Sequence, residues 1–367
     1  MNTSQDAILS AIAQHAAYSY RLSSGEVNKL ISLFNGESNA MVGKLRDLLD
    51  ELLDAERVAL SGGQYTTPLL KEIQGLFATW QSTLAAALPE AFAVSATALA
   101  VHEATFAAKL VGDSIKANGE KLFKKAKKVP VVGGALVDEL FDKIKDDARL
   151  RVEYAIRQGI NDGWTNQQIV QRIKGKKAFD YQDGILQQSR SDIDRVVRTV
   201  RSHVANTAYM DTYKALGFTH VKFVATLDGR VSKTCASLDQ SMWEIESPKI
   251  RRPPLHPNCR SVLVGVDADG NLAGKRPFVM DERRVKDIPK DQRDGIIGQL
   301  DANTSFKQFF NKADDFFQKE WLGEKRYKLF KDGNYSIDKF VDPLGRQYTL
   351  AELRILDEKT FKELGLW

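Results

Sequence analysis

Cysteine is nearly missing from this sequence: 367 residues hold two, Cys235 and Cys259. Two thiols make no disulfide framework, so the fold must rest on apolar cores, and a reducing cytoplasm is the expected birthplace. Histidine is scarce, with five, and so is proline, with ten. Four of those prolines, Pro248, Pro253, Pro254 and Pro257, crowd into one short stretch. No apolar run of membrane-spanning length stands out, so no membrane partner is expected. The first twenty residues have no basic leader, and Gln14 and His15 interrupt their apolar pattern, which argues against a secretory signal. No internal repeat or low-complexity tract appears. Neither sign of charge dominates: 53 Lys and Arg face 48 Asp and Glu, for a net +5. That balance is only mildly basic and suits, without demanding, a nucleic-acid neighbour.

The length allows two or three domains. Residues 1–112 read as helices. Ala7, Ile8, Ala11 and Ile12 recur at helical spacing, and Met41, Val42, Leu45, Leu48, Leu49, Leu52 and Leu53 form a wide apolar stripe. Ser61-Gly62-Gly63 ends that helix, and Thr67-Pro68 starts the next as N-cap and first helical residue. Its alanine-rich continuation suits a compact bundle or a long hairpin packed against other copies. Residues 113–135 read as a basic linker or loop. It carries Lys116, Lys121, Lys124, Lys125, Lys127 and Lys128, and Pro130, Gly133 and Gly134 break any helix there. These lysines are either a solvated face or a contact for DNA phosphates without sequence reading.

Helices resume from 136. Thr165 and Gln168 have capping-box spacing, Ile169 and Ile173 share a face, and Gly175 closes the helix. One long central helix then puts Ile193, Val196, Val197, Val200, Val204 and Ala208 on one side, with Arg195, Arg198 and Arg201 on or beside the other. Gly217 ends it. After that the period drops to two. Val221, Phe223 and Ala225 alternate with Lys222, Val224 and Thr226, and a second strand has Val262, Val264 and Val266 on one face. Between the strands run about 33 irregular residues, a length that requires a function or a pin. The tail reads as basic loop, one helix over TSFKQFFNKADDFFQKEWLG, a strand-like YSIDKFVD and a last helix, TLAELRILDEKTFKEL. The expected fold is mainly α with a small α+β C-terminal domain. A helical N-terminal arm spans 1–112, a core domain of helices followed by a small sheet spans 136–280, and a helical tail spans 281–367.

The chemistry concentrates in the proline-rich loop. Cys235, His256 and Cys259 are soft or borderline ligands, and His-x-x-Cys spacing lets two of them reach one zinc ion. A fourth ligand among Asp228, Asp239, His203 and His220 has no diagnostic spacing. A Cys235–Cys259 disulfide would pin the same loop, and a Cys259 thiol with His256 or His203 as base would make a nucleophile. The favoured reading is a loop held by packing, with Trp243 and the prolines inside and His256 donating to a backbone carbonyl. No resident cofactor is expected, zinc staying open as the alternative. Arg260 is either a surface charge or an inward guanidinium forked onto Asp228 or Asp239.

The stretch VKFVATLDGRVSKTCASLDQSMWEIESPKIRRPPLHPNCRSVLVGV resembles the Mu F-like head morphogenesis family of tailed bacteriophages. The likeness rests on Phe223, Thr226, Leu227, Asp228, Arg230, Cys235, Leu238, Asp239, Pro253, Pro254, His256, Pro257, Cys259 and Arg260. Upstream Arg198, Thr199, Ala205 and Asn206 fit it, as do Leu322, Gly323 and Arg326 downstream. The resemblance covers roughly 145–355. Relatives have Gly where Gln240 stands, so this turn is expected to use ordinary dihedrals. Relatives also have cysteines where Leu238 and Ser261 stand, so a four-thiol metal site is incomplete. The resemblance implies a non-enzymatic minor head protein. It would be made in the host cytoplasm and sit in the virion, at the portal vertex or capsid interior. It would be present in several copies beside portal and capsid proteins, and would contact or leave with the genome. The alternatives are a metal-dependent hydrolase or nuclease using the Cys/His loop, and an effector carrying a toxin.

Overall fold

Apolar residues at spacings of three and four dictate the first half of the fold. In the computed structural model the described residues are 3–110, 112–272, 274–343 and 345–366, with backbone alone for 3–14 and 16–22. Helix α1 (Thr3–Asp50) is followed by α2 (Asp54–Ser61), α3 (Pro68–Leu110), α4 (Gly119–Lys128), α5 (Val137–Asn161), α6 (Asn166–Lys174) and α7 (Gln187–Ala215). Ala7, Ile8, Ala11 and Ile12 fall in α1, but their side chains lie outside the described residues. The chain forms two compact units. One holds residues 22–99 and 119–201; the other holds 1–21, 100–118 and 202–367. These units differ from the four segments read from the sequence, because three of the four breaks fall inside α1, α3 and α7.

The first unit is all helical. On α3, Leu70, Ile73, Phe77, Trp80, Leu84, Leu88, Phe92 and Ala96 are buried at three- and four-residue steps. Phe34 of α1 lies 6.3 Å from Trp80, and Phe92 packs on Phe123 and Phe141 of α4 and α5. The single helix expected through 41–60 instead stops at Asp50. Arg57 and the Asn166 amide both donate to the Leu49 carbonyl, and the Glu56 carboxylate accepts from the Leu53 N–H and opens α2. Thr67 caps α3 as expected, accepting from the Leu70 N–H at 3.3 Å. The expectation of no long apolar run needs correction: α3 contains an 18-residue window of mean hydropathy 1.7, long and apolar enough to cross a membrane by length and composition alone. Alanine is the reason, since each one adds little hydropathy and many add up.

The segment expected as a basic loop is also corrected. Residues 119–128 are helical, with Leu122, Phe123 and Ala126 buried on one face. Lysines masked that short apolar stripe. Helix α6 has its capping box, with Thr165 Oγ1 accepting from Gln168 N–H and the Gln168 side chain accepting from Thr165 N–H. Gly175 ends it at φ 91°. Arg198 and Arg201 of α7 bind Ser23, Asp194 and Glu26 within this unit.

The second unit is α+β. Strand β1 (His220–Val224) lies between β3 (Met242–Glu244) and β4 (Val262–Val266), antiparallel to both. A second sheet has β2 (Leu227–Asp228) parallel to β5 (Lys275–Val279), which pairs antiparallel with β6 (Ile297–Asp301). The strict alternation expected for β1 and β4 gives way to burial on both faces: Val224 and Leu263 are buried as well. Helix α7 packs across β4 at Gly265, where a Cβ would stand 2.8 Å from the Tyr213 ring. Strand β6 replaces part of the expected basic loop, and β5 lies just ahead of it, where no element was expected. The tail forms α9 (Phe306–Lys312), α10 (Asp315–Leu322), α11 (Glu324–Lys331), α12 (Leu350–Leu356) and α13 (Glu358–Glu363), after α8 (Lys233–Leu238) in the loop. Two expected single helices are therefore broken. Side-chain caps cause both breaks: Asp314 accepts from Phe317 N–H, and Asp357 from Thr360 N–H. The strand-like 335–342 is a 3-10 turn over Ile337–Phe340, with one bridge between Val341 and Gln347.

Candidate functional site

The site lies in the second unit, where residues 225–261, between β1 and β4, fold back onto the sheet. They are less irregular than expected, since they contain β2, α8 and β3. Ser232 caps α8 by accepting from Cys235 N–H at 3.1 Å. That cap sets Cys235 on the buried side of the helix, while His256 and Cys259 arrive from the turn ahead of β4. The Cys235 sulfur is 3.2 Å from His256 Nε2 and 3.6 Å from the Cys259 sulfur. His256 Nδ1 donates to the Pro257 carbonyl at 2.9 Å. Both thiols are buried and free. The Cys259 hydrogen bond, then burial, push the Cys235 thiol far up. The Cys235 hydrogen bond and the nearby imidazole pull Cys259 well down against its burial. Burial lowers the His256 pKa, but the Cys259 sulfur and the Pro257 carbonyl outweigh it and leave the imidazole above its ordinary value.

Asp228 and Arg260 resolve the question that the sequence left open. Arg260 points inward and forks onto Asp228, one nitrogen on each carboxylate oxygen. The Arg230 N–H donates to the same carboxylate at 3.0 Å. Burial raises the Asp228 pKa, but the Arg260 hydrogen bonds and the Arg260 and Arg230 charges hold it below the usual carboxylate range. Its folded pKa is therefore depressed. The pair should stabilise the fold fully above about pH 4 and lose that contribution as pH falls below it. Urea titrations should show the wild type losing more stability between neutral pH and pH 3 than Asp228→Asn does; equal losses would contradict this.

Asp239 has a different partner, Arg276 from β5. The guanidinium reaches both carboxylate oxygens, at 2.9 and 3.1 Å, and also donates to the Ala225 and Thr304 carbonyls. Asp239 further accepts from Ala225 N–H and Phe306 N–H at 2.8 and 2.7 Å. Arg276 is 1% exposed, the largest fully buried side chain among the described residues. Sequence reading missed it because 267–279, ahead of the tail, was given no element; the alternation of a short strand was the only signal available.

Gln240 corrects another expectation, for it takes φ 69°, the left-handed region. Its N–H donates to Phe223 O at 2.8 Å and its amide to Ala302 O at 3.2 Å, which offsets a strain of about 1–2 kcal/mol. Trp321 ties the tail to the loop. Its indole N–H donates to Val231 O at 2.9 Å, and Lys233 Nζ donates to Trp321 O while lying 4.6 Å over the ring. Burial, then the Arg326 charge, lower the Lys233 pKa to about 8. Asn206 of α7 accepts from Leu263 N–H at 3.1 Å and so anchors β4.

Among the described residues neither Asp228, Asp239, His203 nor His220 joins the three-residue thiol–imidazole group. A second cluster was not foreseen: buried Glu103 accepts from Tyr209 and meets His15 Nε2 at 2.9–3.0 Å. Lys121, Lys124, Lys125 and Lys128 line the exposed face of α4, Lys127 pairs with Asp138 at 2.9 Å, and Lys116 belongs to the other unit. Residues 151–264 match the family described as phage Mu protein F like protein. No curated protein gives a significant match. No solved structure gives one either.

Proposed function

We propose that this chain is a minor structural protein of a tailed-phage head that docks at the portal vertex, on the capsid interior, in several copies during assembly. The family match over 151–264 carries the reading, since it supports a head-morphogenesis protein associated with the virion. It also favours a structural part over an enzymatic one. The local chemistry fits. A hydrolase or nuclease built on the Cys/His loop would need a carboxylate free to move protons or bind metal, yet Asp228 and Asp239 are both committed to arginines. The loop instead shapes a surface held by ion pairs. On the helical unit Ala86, Val94 and Ala98 leave a small apolar stripe exposed on α3, with Glu90 among them, suited to helix contact with portal or sister copies. The α4 lysines suit sequence-independent contact with packed DNA.

Procapsids assembled with and without portal protein test this. The chain should co-purify with portal-bearing procapsids and be depleted from portal-less ones; equal recovery from both would reject portal docking. Replacing Lys121, Lys124, Lys125 and Lys128 with glutamine should flatten the salt dependence of DNA retention by up to about 0.9 in log–log slope per lysine in contact.

A further inference from the structure

We infer that Cys235, His256 and Cys259 bind one soft divalent cation, zinc by its chemistry, which fastens α8 to the turn before β4. Three observations point to it. First, the donor types are two thiols and an imidazole, a set that favours zinc over magnesium or calcium. Second, the spacing fits. A tetrahedral zinc with bonds of about 2.3 Å to sulfur and about 2.0–2.1 Å to nitrogen sets its sulfurs about 3.8 Å apart and sulfur and nitrogen about 3.5 Å apart. Here the two separations are 3.6 and 3.2 Å, and all three donor atoms lie within 4.8 Å of one another. Third, His256 Nδ1 donates to the Pro257 carbonyl at 2.9 Å. That bond fixes the tautomer and turns the Nε2 lone pair toward the sulfurs, which is how ligating histidines are usually held.

The three side chains come from positions 235, 256 and 259, so one ion closes a loop of more than twenty residues onto the short helix. Binding forms two zinc–sulfur bonds and one zinc–nitrogen bond and releases to solvent whatever protons the two sulfurs still carry. Water completes the tetrahedron. The site is independent of the head-protein reading: either can fail without the other.

Full-length protein purified without chelators, under reducing conditions, tests this by elemental analysis. About one zinc per chain is expected. Cobalt(II) added to the metal-free chain should give thiolate-to-metal charge-transfer absorption and the intense visible bands of a tetrahedral centre. Cys259→Ser and His256→Ala should each lower zinc content or cobalt affinity at least about tenfold. If a variant fails to fold, the wild-type cobalt spectrum still decides. A wild type with no zinc and no charge-transfer band overturns the inference. So does a Cys235–Cys259 disulfide recovered from protein purified under non-reducing conditions in place of the metal, or an ion that survives both substitutions and is lost on His15→Ala.

Discussion

Replacing Arg276 with methionine should lower the stability of the α+β unit by about 3–5 kcal/mol, the cost of leaving a buried charge without its partner. Asp239 would then sit at 0% side-chain exposure without its paired guanidinium. Its two backbone donors, Ala225 N–H and Phe306 N–H, cannot neutralise it, and the Ala225 and Thr304 carbonyls would each lose a guanidinium donor. Asp239→Ala should cost more than Arg276→Met, because it orphans the guanidinium and two buried N–H groups at once. The pair replaced together by apolar residues of similar size should cost less than the sum of the two single changes. Urea denaturation followed by tryptophan fluorescence checks the order. A midpoint for Arg276→Met equal to the wild type, with an unchanged slope, would mean that the ion pair does not hold β5 to the loop.

Trp321→Ala should cost about as much, roughly 3–5 kcal/mol, by a different route. The ring is 3% exposed and packs on Phe306 and Phe310 with centroids 5.0 and 4.9 Å away. Its removal opens a cavity between α9 and α10. It also takes the donor from the Val231 carbonyl and the ring from beneath Lys233. The two contributions can be separated. Trp321→Phe keeps most of the packing and loses the indole N–H, so it should cost only about 1–3 kcal/mol, the price of an unsatisfied buried carbonyl. Should Phe prove as damaging as Ala, the hydrogen bond rather than the packing would dominate. In either case the loop bearing α8 should become more sensitive to protease, since Trp321 is one of its links to the tail.

Much of the site was legible before any coordinates. The His-x-x-Cys spacing after a double proline singled out His256 and Cys259, and Arg260 was one of two readings of a strand-opening arginine. Helix signals were reliable where a cap marked them, as at Thr165 with Gln168. They failed where a cap interrupted an apolar stripe, as at Asp314 and Asp357, because one carboxylate accepting from a nearby N–H ends a helix whose side-chain period continues. They failed again at α4, where a face of three apolar residues was hidden among lysines. Gln240 shows a third limit. A non-glycine side chain argued for ordinary dihedrals, but two long-range hydrogen bonds hold the strained backbone.

The sequence by itself determined the local parts: the helical stripes, the capped starts, the existence of two short strands flanking the loop, and the motif that matches the Mu F-like family. Only the tertiary structure decided the partners. Asp228 meets Arg260 across 32 residues and Asp239 meets Arg276 across 37. It also brought Cys235 to Cys259 across 24. The physical reason is range. Caps and periodicity act within one or two turns and leave their mark in spacing, whereas a guanidinium or a thiol can choose among every group that folding brings within reach.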